Sequence, residues 1–408
     1  MRKTQLQKYA KLLARTGINV KKGQTVFIEA ALDQPEFVTM VVEECYKAGA
    51  SEVYVDWSHQ PTGKLSSQYR SLESLSELKP WAKAKWEFKA KNYSCRLWIE
   101  SEDPDGMSGV DQQKMSKARQ ALYPQVKPFR QALENKHQWC IAAVPGKAWA
   151  KKVFPNLPER KAVEEMWKVI LKTARADGRS PIKAWKEHNA DLDARCTYLN
   201  NLGLKYLEYK SANGTDFKVE LLEDGIFAGG KEKTLQGRIF NPNIPSEEVF
   251  TSPKAGSCDG IVYSSKPLSY MGELIDNFSV RFENGKVVEV KAEKGEELLK
   301  HMVSMDEGAG MLGEVALIPY DSPINQSGVL FYNTLFDENA SCHLALGHGF
   351  NECLKGFEKL TDEQCKERGI NDSMIHVDFM IGTRDMSIVG ITKDGKKVQI
   401  FENGTWAF

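Results

Sequence analysis

Residues 25–56 read TVFIEAALDQPEFVTMVVEECYKAGASEVYVD, and this stretch decides the fold class. The apolar run Thr25–Ala31 has the length and composition of a buried strand. Residues 34–48 carry apolar positions at helical spacing and end at Gly49, a residue suited to closing a helix. Glu52–Asp56 then reads as a second strand. Strand, helix and strand within about thirty residues form a βαβ unit, which implies parallel pairing. Upstream, Leu6, Tyr9, Ala10 and Leu13 fall on one helical face. Downstream, Cys95–Ile99 and Trp139–Val144 are further strand candidates, with helical stretches expected at 79–91, 110–136 and 158–176. Residues 1–185 are therefore expected to form an α/β N-terminal domain.

The pattern changes after the Gly-, Ser- and Pro-containing segment ADGRSP at 176–181, which suggests a boundary. Beyond it stand the turn dipeptides Asn213-Gly214, Asp224-Gly225, Asn284-Gly285, Asp394-Gly395 and Asn403-Gly404, which favour type I′ hairpins. Phe278, Val280 and Phe282 alternate with Ser279, Arg281 and Glu283, as in a half-buried strand. Residues 186–408 are expected to be an α+β domain with largely antiparallel sheet, and this domain carries the candidate site.

Composition narrows the function classes. Lys plus Arg and Asp plus Glu are both 55 in 408 residues, so the chain has no surplus positive charge to attract a polyanion such as nucleic acid. No apolar stretch approaches the ~18 residues of a membrane span. The first residues, MRKTQLQKYAKLLART, lack the apolar core of a secretory signal. The eight cysteines form no Cys-x-x-Cys pair, so zinc-ribbon and thioredoxin-like readings fail, and scattered single thiols fit a reducing cytoplasm. Segment 390–397 nearly matches a phosphate-binding loop, but its last position is lysine, and Asp394-Gly395 suits a hairpin better.

Four segments of the C-terminal half interrupt apolar runs with groups that bind metals. In MIHVDFMIG, residues 374–382, His376 and Asp378 share one face of a strand, and burying them unpaired is costly. Glu314 opens the apolar strand GEVALIP, and Glu338 and His343 stand in LFDENASCH, where Asn339 or Ser341 could cap a following helix. On such a helix His348 points away from His343, so it is read as a non-ligand. In NIPSEEVF, alternation lets one of Glu247 and Glu248 face a cavity; Glu248 is preferred. Taken singly, each motif could equally be a solvated His, a capping cluster or an edge carboxylate. Together they supply four carboxylates and two imidazoles, which neutralise and coordinate two divalent cations.

The strings NIPSEEVFTSP, GEVALIPYDSPI, LFYNTLFDENASCH and MIHVDFMIG, in that order, closely resemble the aminopeptidase T family of metallo-aminopeptidases. The resemblance implies an N-terminal α/β domain, a metal-bearing C-terminal domain, a cytoplasmic homodimer around an enclosed cavity, and a pair of divalent ions (zinc, cobalt, manganese or magnesium). The ligands it implies are Glu248, Glu314, Glu338, His343, His376 and Asp378, with Glu314 bridging. The family often carries tyrosine seven residues after the metal histidine, where this chain has Phe350, a ring without a hydroxyl.

The expected function is release of N-terminal residues from short peptides by a water activated between two metals. The general base is not identified, with Glu247 a weak candidate, and Tyr332 is a weak candidate to supply the hydroxyl that Phe350 lacks. Two alternatives stay open: another dinuclear hydrolase such as a phosphoesterase, and a weakly active or non-catalytic metal- or peptide-binding relative, to which Phe350 points.

Overall fold

The computed structural model describes residues 2–408, which form two compact units. The first comprises the chain through His188 together with 231–246. Its sheet contains β1 (Thr25–Ala31), β2 (Glu52–Ser58), β3 (Cys95–Glu100) and β4 (Trp139–Ala143), in the order β2-β1-β3-β4, extended by the short strand Asn243–Ile244. All these pairings are parallel, as the βαβ reading requires. The connecting helix Pro35–Ala48 has proline in its first turn and ends at Gly49, where φ is 109° and only glycine sits without strain. It buries Phe37, Val38, Val41 and Cys45; Phe37 stacks on Tyr9 at 5.3 Å and meets Trp167 edge-on at 5.4 Å. The other expected helices form as Pro80–Asn92, Gln112–Leu133 and Glu159–Thr173.

Glu29 sits within the apolar run of β1. Register pairs it with Trp98 on β3, so both face one way. One carboxylate oxygen accepts from Lys89 Nζ (3.0 Å) and an Arg96 guanidinium nitrogen (2.9 Å), the other from Trp98 Nε1 (2.9 Å). Burial works against the charged carboxylate, but Arg96 and Lys89 outweigh it and hold Glu29 below its ordinary range.

The second unit comprises Asn189–Gly230 and Glu247–Phe408. This differs from a single boundary at 185/186. ADGRSP is not a linker: Pro181 is the first residue of a helix running unbroken to Leu202, a position where its missing N–H costs nothing. The return of 231–246 to the first unit reflects Asn243–Ile244 pairing with β4, a long-range contact that no local pattern marks.

A nine-stranded sheet forms the body of the second unit, antiparallel at every pairing. Four of the five turn dipeptides close its hairpins. Asn284-Gly285 and Asn403-Gly404 have both residues at positive φ, as type I′ demands, whereas at 213–214 and 394–395 only the glycine does. Asp224-Gly225 instead lies in a turn whose Gly225 bridges Leu354. A smaller antiparallel sheet holds β5 (Val249–Thr251), β6 (Leu312–Leu317), β7 (His343–Gly347) and β8 (His376–Met380) in that order. Val315, Leu344, Leu346, Val377 and Phe379 join Leu207, Phe217, Val280 and Phe282 of the large sheet in one core. All eight cysteines are free. Among the described residues no helix is long and apolar enough to cross a membrane.

Candidate metal centre

The small sheet decides which side chains meet. Register places Ala316 opposite His343, Glu314 and Asp378 opposite Ala345, and His376 opposite Gly347. Side chains directly opposite share a face, so Glu314, His343, His376 and Asp378 emerge together on one face. The other face supplies the core residues just named. A register shift between Leu312 and Glu314 keeps both in place: Leu312 joins the core and Glu314 faces the cluster.

One expectation fails here. The segment after Cys342 is a strand, not a helix. His343–Gly347 is buried at every position, so it lacks the alternation that betrays a half-exposed strand. Asn339 and Ser341 cap no helix there. His348 stays outside the cluster, with its ring 3.7 Å from Asp372.

The cluster is tight. His343 Nε2 lies 3.5 Å from Glu248, 3.8 Å from Glu314 and 3.9 Å from Asp378. His376 Nε2 lies 3.2 Å from both Glu314 and Asp378. Two groupings could each hold a cation, Glu248–Glu314–His343 and Glu314–His376–Asp378, and Glu314 belongs to both. Glu338 adjoins Asp378 and completes the acidic wall. The structure thus brings together all six residues singled out in the sequence. Glu247 is buried beside Glu248 but belongs to neither grouping. Tyr332 is half-buried on a turn with φ 55°.

The donor set fits divalent cations. His343 Nδ1 is 2.8 Å from the Glu338 carbonyl, and His376 Nδ1 is 2.7 Å from the His348 carbonyl. A carbonyl only accepts, so each Nδ1 carries a proton and Nε2 is the nitrogen turned to the carboxylates, either protonated or, in the neutral ring, a lone pair for a cation. A neutral Nε2 facing carboxylates is repulsive unless a cation lies between, and in its place only a second proton on the ring can serve. In addition, Asp378 Oδ1 is buried with no hydrogen-bond partner.

The electrostatics agree. Burial and then the Glu314 charge push Glu248 up to about 8. Burial, Asp378 and Glu248 push Glu338 well above the carboxylate range. Burial opposes a charged His343, yet Glu314, Asp378 and Glu248 lift it to about 9. These groups compete for too little positive charge.

Three further residues shape the site, and of these the sequence had singled out the role of Phe350 alone. Asn339 Oδ1 accepts the Glu247 N–H at 2.7 Å while its amide donates to Glu338 at 3.3 Å, tying two acidic segments together. Asp337 is buried and accepts the N–H groups of Phe331 (2.8 Å) and Asn333 (3.0 Å), fixing the turn before Glu338. Phe350 lies with its ring 4.8 Å from that of His376 and 5.6 Å from that of Phe250. The adjacency of Asp337 and Asn339 to Glu338 was visible in the chain, but Glu247, which Asn339 ties in, lies 92 residues away.

A buried sheet face that presents two histidines and two carboxylates, joined by Glu248 and Glu338 from the adjoining segments, suits a metallohydrolase. Residues 2–406 match the thermophilic metalloprotease family M29, and the chain belongs to that family of metallopeptidases. It is 41% identical to aminopeptidase AmpS of Bacillus subtilis over 404 residues, covering 99% of this chain and 98% of that one. It is also 41% identical to aminopeptidase PepS of Streptococcus thermophilus over 406 residues, with the same coverage. The structure of wild-type AmpT from Thermus thermophilus superposes with a TM-score of 0.90 at 37% identity, over the full length of both chains.

Proposed function

We propose that this metallopeptidase is an aminopeptidase that binds two divalent ions per chain and removes N-terminal residues from short peptides. The observation that carries the reading is Glu314, which belongs to both cation groupings and so suits a bridging role. Glu248 and His343 would complete one site, and His376 and Asp378 the other, with Glu338 as the sixth ligand. Zinc, cobalt and manganese suit mixed nitrogen and oxygen donors, and magnesium is included from the family resemblance. Such a pair of ions, when bound, supplies a nucleophile from water at neutral pH and polarises the substrate carbonyl.

This chain's own residues do the rest. His343 and His376 hold their Nε2 atoms inward because their Nδ1 protons are committed to backbone carbonyls. Asn339 keeps the Glu248 segment and Glu338 at a fixed separation. The carboxylates also suit the positively charged α-amine that distinguishes a peptide N-terminus from an internal peptide bond. Glu247, one residue from a ligand, is our candidate for the base that moves the proton to the leaving amine. A cytoplasmic homodimer acting on short peptides is the setting we assign to the enzyme, as in the family resemblance.

The test is hydrolysis of leucine p-nitroanilide by purified protein before and after chelation, with zinc, cobalt, manganese or magnesium added back. Activity should vanish with the chelator and return with metal. Aryl-phosphate hydrolysis under the same conditions would instead favour a phosphoesterase.

Phe350 favours a second reading, a weakly active relative. Its ring abuts His376 but offers no proton. Phe350→Tyr should raise kcat by about 10²-fold, the size of one hydrogen bond donated in a transition state, with KM little changed. A rate that stays the same would show that catalysis in this chain does not depend on a hydroxyl at that position.

A further inference from the structure

Four consecutive N–H groups at the end of β7 each donate to a different stretch of chain. Gly347 donates to the Met311 carbonyl (2.8 Å), His348 to that of Ile375 (2.7 Å), Gly349 to that of Asn371 (2.9 Å) and Phe350 to the Ser252 hydroxyl (2.7 Å). The turn so fastened carries the His348 carbonyl, which accepts the Nδ1 proton of His376 at 2.7 Å. Asn371 holds this turn from both its side chain and its main chain, and is only 3% exposed. Its amide nitrogen donates to the carbonyls of Gly347 (2.6 Å) and Gly308 (2.8 Å), while its own carbonyl takes the Gly349 N–H.

A trans peptide unit is planar and rigid, with its N–H and C=O on opposite sides, so fixing one direction fixes the other. The two units that meet at His348 are both fixed. The first has its carbonyl on the Asn371 amide and its N–H on Ile375. The second has its N–H on the Asn371 carbonyl, which leaves its own carbonyl aimed at His376. Glycine at 313 leaves room for that oxygen, since a Cβ there would lie 2.2 Å from it. The other imidazole has a separate acceptor: His343 Nδ1 donates to the Glu338 carbonyl, on a segment that Asn371 does not touch.

We propose that Asn371 is a positioning residue for His376, acting through the His348 carbonyl, and that it governs the cation grouping of Glu314, His376 and Asp378 without governing that of Glu248, Glu314 and His343. The inference rests on the two-ion reading of the cluster and deepens it, giving each half its own orienting contact. A ligand histidine that loses the partner of its other nitrogen binds metal about 10- to 100-fold less tightly.

The experiment compares the full-length protein with Asn371→Ala, which removes both donated bonds and loosens the segment that holds Gly349. Nuclear magnetic resonance of zinc-loaded protein, isotope-labelled at its histidine nitrogens, follows solvent exchange of the two Nδ1 protons. Calorimetric titration of chelator-treated protein with zinc follows the two ions. Asn371→Ala should speed exchange at His376 at least ~10-fold and leave His343 as it was. It should also weaken one zinc ion by about 10- to 100-fold and spare the other. Unchanged exchange at His376, equal loosening of both imidazoles, or equal weakening of both ions would overturn the proposal, since a merely structural residue acts on both halves or on neither. Asn371→Asp keeps the side chain's size and can donate at most one of the two bonds, so it decides the same point should Asn371→Ala not fold. If the unmodified protein binds no zinc, the two-ion reading fails, and the exchange of the two imidazole protons still decides on Asn371.

Discussion

Glu314→Gln should lower kcat/KM for leucine p-nitroanilide by at least ~10³-fold and cut bound metal from two ions per chain to one or none. The substitution keeps the side chain's volume and one oxygen. It removes the charge that both cation groupings share, and the new amide cannot bridge two cations. Glu314 and Asp378 each lie within 4 Å of both imidazoles, but only Glu314 is common to both groupings. Elemental analysis and steady-state kinetics check the expectation, with circular dichroism confirming the fold. Two ions retained with near-normal activity would remove Glu314 from the bridging role and the two-site assignment with it.

The second large effect is on stability. Without metal the cluster holds crowded carboxylates, among them Glu248, pushed up to about 8, and Glu338, pushed well above the carboxylate range. A ligand that binds only the folded state adds about 2.7 kcal/mol at a hundred times its Kd. In a unit of ~200 residues, 1 kcal/mol moves Tm by about 2–4 °C. Chelation should therefore lower the melting temperature of the second unit by about 5–10 °C, and added zinc, cobalt or manganese should restore it. Differential scanning calorimetry with and without chelator measures this directly. An unchanged Tm, together with no metal by elemental analysis, would mean that the cluster holds its charges by protonation alone.

Much of this arrangement could be read from the chain because short-range rules govern it. Thr25–Ala31 is found over the expected residues, since an apolar run bounded by turns has few other options. The helix from Pro35 ends at Gly49 as anticipated, because the left-handed cap is a local requirement. The six cluster residues were visible as polar interruptions of apolar runs, and the family resemblance joined them into one site. What stayed hidden depends on tertiary contact. His343–Gly347 passes for a helix because a strand buried on both faces carries no period of two. The partners of Glu29 within the apolar run of β1, Lys89, Arg96 and Trp98, meet it only in the fold.

The interleaving of the two units bears on how the chain is made. As residues leave the ribosome in order, β1 to β4 are complete long before Asn243–Ile244 emerges. Until then β4 presents an unpaired parallel edge, the kind of surface on which nascent chains associate wrongly. The N-terminal sheet can finish only after residues 189–230, which belong to the other unit, have already been synthesised. A fragment ending near residue 188 would keep that open edge permanently, so cutting the gene there yields an incomplete sheet rather than a separable module.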